Sequence, residues 1–233
     1  MLRVAMPSGS PAAPRQRFLF VLPVEPGEEN RYGDGFSEIV RTRLHVRHRL
    51  VVVAPSFSDW PWYGDHPTDP RVRQESHLLR IIIPLVADLC PTADPRRLLL
   101  GFSKSGWGAM AMLLRHPDLF RAACAWDAPL MMDAPGRYNS GVVFPSRECF
   151  QGYGIPHLLE RNAAAFRPAA RIALSGCSGF CNDMRQAHDL LGRLGVPHIY
   201  IDRTRPVHAW DGGWVEESVD LLVAMTEPAG YHP

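Results

Sequence analysis

Two serines lie in the stretch GFSKSG, residues 101–106, which joins an apolar run to a segment of helical periodicity. The three leucines at 98–100 are typical of a strand that is buried on both faces. From Gly106 onward, apolar residues recur at the spacing of one helix face. A strand that passes into a helix almost without a loop exposes the residue at the turn. A serine exposed there can act as a nucleophile.

Steric size separates the two serines. The residues two before and two after such a nucleophile must be small, because the turn packs the strand against the helix. For Ser103 these neighbours are Gly101 and Ser105, whereas for Ser105 one neighbour would be the large indole of Trp107. Ser103 is therefore the predicted nucleophile. The backbone N–H of Lys104, at the start of the helix, is predicted to stabilise a developing oxyanion.

A serine hydroxyl is a weak nucleophile and needs a general base within hydrogen-bonding distance. In chains with this strand–serine–helix turn, a histidine after the last strand supplies the base. His208 lies there, between an apolar run that ends at Asp202 and a terminal helical segment. His188 and His198 lie inside a predicted helix and a predicted strand. The sequence therefore predicts His208 as the base.

Alternating strands and helices position these residues. Apolar runs predict about six strands, at 17–24, 49–55, 96–101, 120–127, 170–176 and 197–202. Helical segments lie between them, one of which, at 73–90, should be kinked by Pro84. This alternation predicts an α/β fold with a mostly parallel sheet and helices on both faces. We expect a flexible tail at 1–16 and a single domain at 17–233, with an irregular, cap-like lid insertion at 128–167.

Composition excludes several classes of function. The chain has 233 residues and a formal net charge of +1, so it lacks the concentrated positive charge of nucleic-acid binding proteins. No apolar run is long enough for a membrane span, and no long apolar leader is present near residue 1. The five cysteines share no regular spacing, which favours free thiols in a reducing cytoplasm over a disulfide framework. We therefore expect a cytoplasmic protein with no nucleic-acid or membrane partner.

The stretch GFSKSGWGAMAMLLRHPDLF, together with the late His-x-Trp of residues 208–210, resembles the esterase D-like group of the α/β-hydrolase superfamily. The matching positions are Gly101, Ser103, Gly106, His116, Pro117, Phe120, His208, Trp210 and Trp214. The resemblance extends from about residue 18 to 225. It implies an α/β-hydrolase fold and a serine esterase that cleaves a small-molecule carboxylic ester through an acyl-enzyme. It implies no cofactor.

Two departures from the family pattern concern the oxyanion hole and the acid. The first strand of the family runs into His-Gly-Gly, whereas this chain has LPVEPG, so Val24 and Glu25 are the predicted oxyanion-hole replacements. The family places the acid three residues past the strand 170–176, where this chain has Gly179. Asp183, in the same segment, is slightly favoured as the acid, although it would serve equally as a helix N-cap. Asp127, at the end of the strand 120–127, is the close alternative.

An aromatic loop, SFSDWPWYGDHPTDP, follows the second strand and so lies at the carboxyl edge of the sheet, where α/β proteins bind ligands. Its aromatic residues and two beyond it could line a substrate pocket or form a rigid structural loop; they are Trp60, Trp62, Tyr63, Trp107 and Trp210. Two aspartates and one histidine in the stretch DWPWYGDH of this loop are too weak a pattern for a metal site. Alternatives to an esterase are an acyltransferase, a peptidase or a catalytically silent binding protein on this scaffold.

Overall fold

A computed structural model describes residues 1–7, 15–27 and 29–226. Its strands form one sheet in the order β1-β3-β2-β4-β5-β6-β7. They span Leu2–Ala5 (β1), Arg15–Val21 (β2), Leu50–Pro55 (β3), Asp94–Phe102 (β4), Ala122–Trp126 (β5), Ile172–Leu174 (β6) and Ile199–Tyr200 (β7). All neighbouring pairs are parallel except β1 with β3. The predicted mostly parallel α/β sheet is therefore confirmed.

The edge strand β1 corrects the predicted tail. Leu2–Ala5 pairs antiparallel with β3, in the register of Leu2 with Pro55. Four residues are too few for a period-two pattern to stand out, and their strand conformation depends on pairing with the edge of a strand some fifty residues away. The sheet consequently has one strand more than expected. Residues 8–14, the rest of the predicted tail, lie outside the described residues.

Helices cover both faces of the sheet. They span Gly35–Arg41 (α1), Leu44–Arg47 (α2), Gln74–His77 (α3), Ile83–Leu89 (α4), Ser103–Arg115 (α5), Arg147–Gln151 (α6), Ile155–Asn162 (α7), Cys181–Arg193 (α8) and Val215–Ala224 (α9). Every residue of β3 and β5 is buried, as expected for strands covered on both sides. No helix in the described ranges is long and apolar enough to cross a membrane.

Pro84 interrupts the helix at 74–89 as the sequence predicts. A π-helical turn, Leu78–Ile82, joins α3 to α4, and Pro84 lies at the start of α4. Proline lacks an N–H and crowds the carbonyl four residues earlier, so a regular α-helical turn cannot continue through it. A wider turn directly before the proline accommodates this loss.

Residues 128–167 are more regular than the sequence suggests. They contain α6, α7 and two 3₁₀ segments, Arg137–Val142 and Ala163–Phe166. Their large apolar side chains, including Phe144, Phe150 and Leu158, are buried in the core on the α5 side of the sheet. This packing explains why α5 is buried on every side from residue 105 to residue 114. Many short helices broken by Pro and Gly leave little periodicity, so the sequence pattern indicates an irregular lid.

A buried carboxylate ties this segment to α3 and α5. Glu75 accepts hydrogen bonds from Arg115, at 2.8 and 3.1 Å, and from the Tyr153 hydroxyl, at 2.7 Å, and it lies 2.6 Å from a ring nitrogen of His116. Burial alone would raise the pKa of Glu75, but the hydrogen bonds from His116, Arg115 and Tyr153 outweigh it and lower the pKa to about 2. Glu75 is therefore ionised at neutral pH.

The expectation of free thiols throughout is wrong at one pair. Cys177 and Cys181 form a disulfide across the loop between β6 and α8. The remaining cysteines, Cys90, Cys124 and Cys149, are free. The loop turns back on itself and brings two Cα atoms that are four residues apart to 5.0 Å, within the usual range for a disulfide. Only the tertiary course of this loop brings the two thiols together.

Candidate active site

The strand-to-helix turn lies where the sequence predicts it. β4 ends at Phe102, α5 begins at Ser103, and the Ser103 backbone has a φ of +52°. This left-handed conformation is unfavourable for a residue with a side chain, so the surroundings must enforce it. A Cβ on Gly101 would lie 2.2 Å from the Ser105 carbonyl oxygen, so only glycine allows the helix to approach the strand this closely. The Ser103 N–H donates to the Asp127 carbonyl at 3.1 Å.

Ser105 has a structural role. Its side chain is fully buried, and its hydroxyl accepts from the Phe102 N–H at 3.1 Å and donates to the Phe102 carbonyl at 3.0 Å. These two bonds cap the first turn of α5. Ser103, in contrast, is partly exposed. The geometry therefore separates the two serines in the same way as the steric argument from the sequence.

His208 is hydrogen-bonded to Asp127. The His208 Nδ1 and Asp127 Oδ2 atoms are 2.5 Å apart, and Asp127 is fully buried at the carboxyl end of β5. Its carboxylate also accepts from the Gly179 N–H at 3.0 Å and the Phe180 N–H at 2.7 Å. Burial alone would raise the pKa of Asp127, but hydrogen bonds from His208 and from the backbone of residues 178–180 outweigh it and lower the pKa. An ionised Asp127 requires a proton on Nδ1, which leaves Nε2 as the basic nitrogen.

The slight preference for Asp183 as the acid does not agree with this geometry. Asp183 lies in the first turn of α8, and its Oδ1 accepts from the Met131 N–H at 3.0 Å. Burial raises the pKa of Asp183. The family segment that usually carries the acid still contributes, because Gly179 donates its backbone N–H to Asp127. In this chain the carboxylate bonded to His208 follows the neighbouring strand β5, and the loop supplies amides to it.

Aromatic rings surround the imidazole of His208. Its centroid lies 5.0 Å from the ring of Phe102, 5.6 Å from that of Tyr32 and 5.9 Å from that of Phe180. These contacts hold the plane of the His208 ring beside Asp127. Sequence analysis missed Tyr32 and Phe180, which lie in loops without a motif of their own. Their proximity to His208 depends on the fold.

The predicted oxyanion-hole segment lies beside the elbow. The Leu22 N–H donates to the Leu100 carbonyl at 2.9 Å, which places the end of β2 against β4. Val24 and Glu25 follow and are both buried. Within the described residues, the Val24 N–H donates to no protein acceptor. The Lys104 N–H lies in the first turn of α5, where helix geometry provides no partner for it.

The only lysine of the chain extends from this turn over an indole. The Lys104 Nζ lies 4.1 Å from the centroid of the Trp60 ring, a cation–π contact. Burial lowers the pKa of Lys104 to about 8, while the nearby Glu25 carboxylate opposes this effect. Trp60 is partly exposed, and it is the one predicted substrate-binding aromatic beside the elbow that is not in the core.

The other predicted substrate-binding aromatics are core residues. Trp62, Tyr63 and Trp107 are fully buried, and Trp210 is only 2% exposed. The rings of Trp62 and Trp107 pack edge to face with centroids 5.3 Å apart. These four aromatic residues therefore have a structural role in the core, which is the second of the two interpretations of the sequence. No cluster of three or more His, Cys, Asp or Glu side chains suited to a metal ion is present in the part of the chain that the structure describes.

A parallel sheet with a left-handed serine after β4, and a histidine after the last strand that binds a buried carboxylate, defines the class of α/β-hydrolases. Residues 58–175, more than half of the chain, match the family described as Putative esterase. The chain belongs to this family, and its class is that of the serine carboxylic ester hydrolases, which act on small-molecule esters. The resemblance stated from the sequence is thereby confirmed.

Solved structures show the same fold. An S-formylglutathione hydrolase from Agrobacterium tumefaciens superposes with a TM-score of 0.76 at 15% identity, over 97% of this chain and 90% of that one. A ferulic acid esterase gives a TM-score of 0.66 at 19% identity, over 97% and 91% of the two chains. FphF, a fluorophosphonate-binding serine hydrolase of Staphylococcus aureus, gives 0.72 at 16% identity, over 95% and 91%. No curated protein sequence matches the chain.

Proposed function

We propose that this protein hydrolyses carboxylic esters through an acyl-enzyme, with Ser103 as nucleophile, His208 as general base and Asp127 as the acid. The observation that carries the proposal is the 2.5 Å hydrogen bond from His208 Nδ1 to a fully buried, ionised Asp127. This bond orients Nε2 away from Asp127, at the edge of the sheet where β4 presents Ser103. Asp183 has no such bond and is left with its structural role.

In the proposed reaction, His208 Nε2 removes the proton of the Ser103 hydroxyl as the oxygen attacks the ester carbonyl. The negative charge of the tetrahedral intermediate is stabilised by the backbone N–H groups of Lys104 and Val24, with the N–H of Glu25 as the alternative second donor. The intermediate collapses, and His208 gives the proton to the leaving alcohol. Water, activated by His208, then hydrolyses the acyl-enzyme and regenerates the serine.

Two alternatives to ester hydrolysis can be distinguished by experiment. An acyltransferase or peptidase would use the same acyl-enzyme with another acceptor or an amide substrate. A catalytically silent binding protein was suggested by the glycine at position 179, and the bond between Asp127 and His208 removes that reason. Adding an alcohol or amine to the ester assay separates transfer from hydrolysis, because transfer yields a new ester or amide in place of the free acid.

The test combines labelling and turnover. A fluorophosphonate probe should form one adduct, on Ser103, and p-nitrophenyl esters should be hydrolysed. Ser103→Ala should lower kcat by about three orders of magnitude or more, because the triad acts as a unit. Ser105→Gly is the matched control and should retain most activity, since it removes only a cap. An adduct on another residue, or a fully active Ser103→Ala protein, would reject the proposal.

The predicted cytoplasmic location stays a prediction. The Cys177–Cys181 disulfide is more typical of an oxidising compartment than of the cytoplasm. Fractionation of cells, with the redox state of these two cysteines measured in each fraction, would decide between the two.

A further inference from the structure

The Tyr63 side chain makes a contact that the proposed reaction does not use. Its hydroxyl donates to the Pro23 carbonyl at 2.5 Å, and its ring is fully buried. Burial raises the pKa of Tyr63 well above its usual range, so the hydroxyl remains a proton donor wherever the protein is folded. Pro23 directly precedes Val24, whose N–H is a proposed oxyanion donor.

The two groups belong to one rigid unit. The Pro23 carbonyl and the Val24 N–H are parts of the same peptide group, which is planar, and in a trans peptide they point in opposite directions. The structure contains no cis peptide bond in its described ranges. Any rotation of this plane away from Tyr63 therefore rotates the Val24 N–H by the same angle. A hydrogen bond to the carbonyl also polarises the amide and strengthens its N–H as a donor.

The surroundings hold Tyr63 in place. Its backbone has a φ of +55°, which costs energy for a tyrosine. The Gln74 Oε1 atom accepts from the N–H groups of both Trp62 and Tyr63, each at 2.8 Å. A Cβ at Gly108 would lie 2.0 Å from the Tyr63 ring, so the absence of a side chain on α5 makes room for it. The two Gln74 bonds and the space at Gly108 thus maintain one ring position against α5, five residues beyond the nucleophile, in spite of the backbone strain.

We propose that Tyr63 is a positioning residue of the oxyanion hole: by binding the Pro23 carbonyl, its hydroxyl aims the Val24 N–H at the negatively charged oxygen of the tetrahedral intermediate. The inference rests on the proposed function, since it requires Ser103 to form such an intermediate. It also distinguishes Val24 from Glu25 as the second donor, because the Tyr63 hydroxyl is bonded to the peptide group of Val24.

The first test is Tyr63→Phe, which deletes only the hydroxyl oxygen. Loss of one oxyanion donor lowers kcat by about 100- to 1000-fold, and here the donor remains but is no longer aimed. We therefore expect kcat for p-nitrophenyl acetate to fall by about 10- to 100-fold, with KM changed less than about threefold, since the interaction forms in the transition state. The rate of fluorophosphonate labelling of Ser103 should fall by a similar factor.

Tyr153→Phe is the matched control. The Tyr153 hydroxyl is also buried; it accepts from the Asp65 N–H at 3.2 Å and donates to Glu75 at 2.7 Å, so its deletion loosens the same loop without touching Pro23. If Tyr63 acts only by stabilising the loop, both variants lose activity equally, which overturns the proposal. A Tyr63→Phe protein with kcat within about threefold of wild type also overturns it. Absence of Ser103 labelling in the wild-type protein would instead reject the proposed function itself.

Two further substitutions keep the test decisive if Tyr63→Phe does not fold. 4-Fluorophenylalanine at position 63 fills the space of the hydroxyl but donates no proton, whereas 4-aminophenylalanine restores a donor at the same place. We expect the fluoro variant to show the low kcat and the amino variant to recover at least a third of the wild-type kcat. Equal kcat values for the two variants would overturn the positioning role.

Discussion

Replacing Asp127 with asparagine removes a charge while keeping the shape of the side chain. In the native protein, one carboxylate oxygen accepts from His208 and Gly179 and the other from Phe180. An amide has only one accepting oxygen, so in either orientation its NH₂ group faces a donor. If the NH₂ faces His208, the imidazole must present Nδ1 as an acceptor and carry its proton on Nε2. The base is then in the wrong tautomer.

The magnitude follows from these contacts. A histidine with its proton on Nε2 cannot accept the proton of Ser103, and an equivalent substitution in a serine protease lowers kcat on the order of 10⁴-fold. We expect kcat of Asp127→Asn to fall by about 10³- to 10⁴-fold at pH 7. The buried donor that loses its acceptor should also lower the free energy of unfolding by about 1–3 kcal/mol. The activity loss therefore far exceeds any loss caused by unfolding.

The assay compares Asp127→Asn with Asp183→Asn. Initial rates with p-nitrophenyl esters are measured beside urea denaturation of both proteins. Asp183→Asn keeps an amide oxygen for the Met131 N–H, so its kcat should stay within about threefold of wild type. The reasoning would be refuted by an Asp127→Asn enzyme that retains a tenth of wild-type kcat, or by Asp183→Asn as the more damaging change.

Two further predictions concern stability and redox state. Because the pKa of Glu75 is lowered to about 2, its contribution to stability is complete above the unfolded value of about 4.5 and is lost as the pH falls from there toward 2. Glu75→Gln should lower the free energy of unfolding by about 3 kcal/mol at pH 7 and flatten its pH dependence between 4.5 and 2 in urea titrations; an unchanged slope contradicts this. The Cys177–Cys181 bridge closes the loop whose amides bind Asp127, so the double serine variant should lose about 10- to 100-fold in kcat/KM, and reductant should slow only the wild type. Equal rates with and without the bridge would show that the loop keeps its course unaided.

The elbow could be predicted from the sequence because its rules are local. The small residues at 101 and 105, the strand before them and the helix after them are neighbours in the chain, and steric exclusion acts between them directly. The late position of His208 followed from chain order in the same way. The alternation of apolar runs with helical periods predicted the parallel sheet, since it depends on which residues each element buries.

The proposed acid, Asp127, could not be predicted in this way. Asp127 and Asp183 both follow strands at the carboxyl edge of the sheet, and each has an ordinary capping explanation from the sequence. The choice depends on the loop at 178–180, which turns its amides toward Asp127 and leaves Asp183 against the Met131 N–H. A bond between residues 81 positions apart is formed by packing, and no local pattern encodes it.

In the aromatic loop, too, the sequence determined some features and only the tertiary structure decided others. Its sequence determined that Trp60, Trp62 and Tyr63 lie at the edge of the sheet, because they follow β3. Whether a ring points into the core or toward solvent depended on space elsewhere in the chain, such as that left by Gly108 beneath Tyr63. Periodicity and local sterics are properties of neighbouring residues and can be read from the sequence. Side-chain convergence and burial arise only when distant elements close around one another, and the tertiary structure alone decides them.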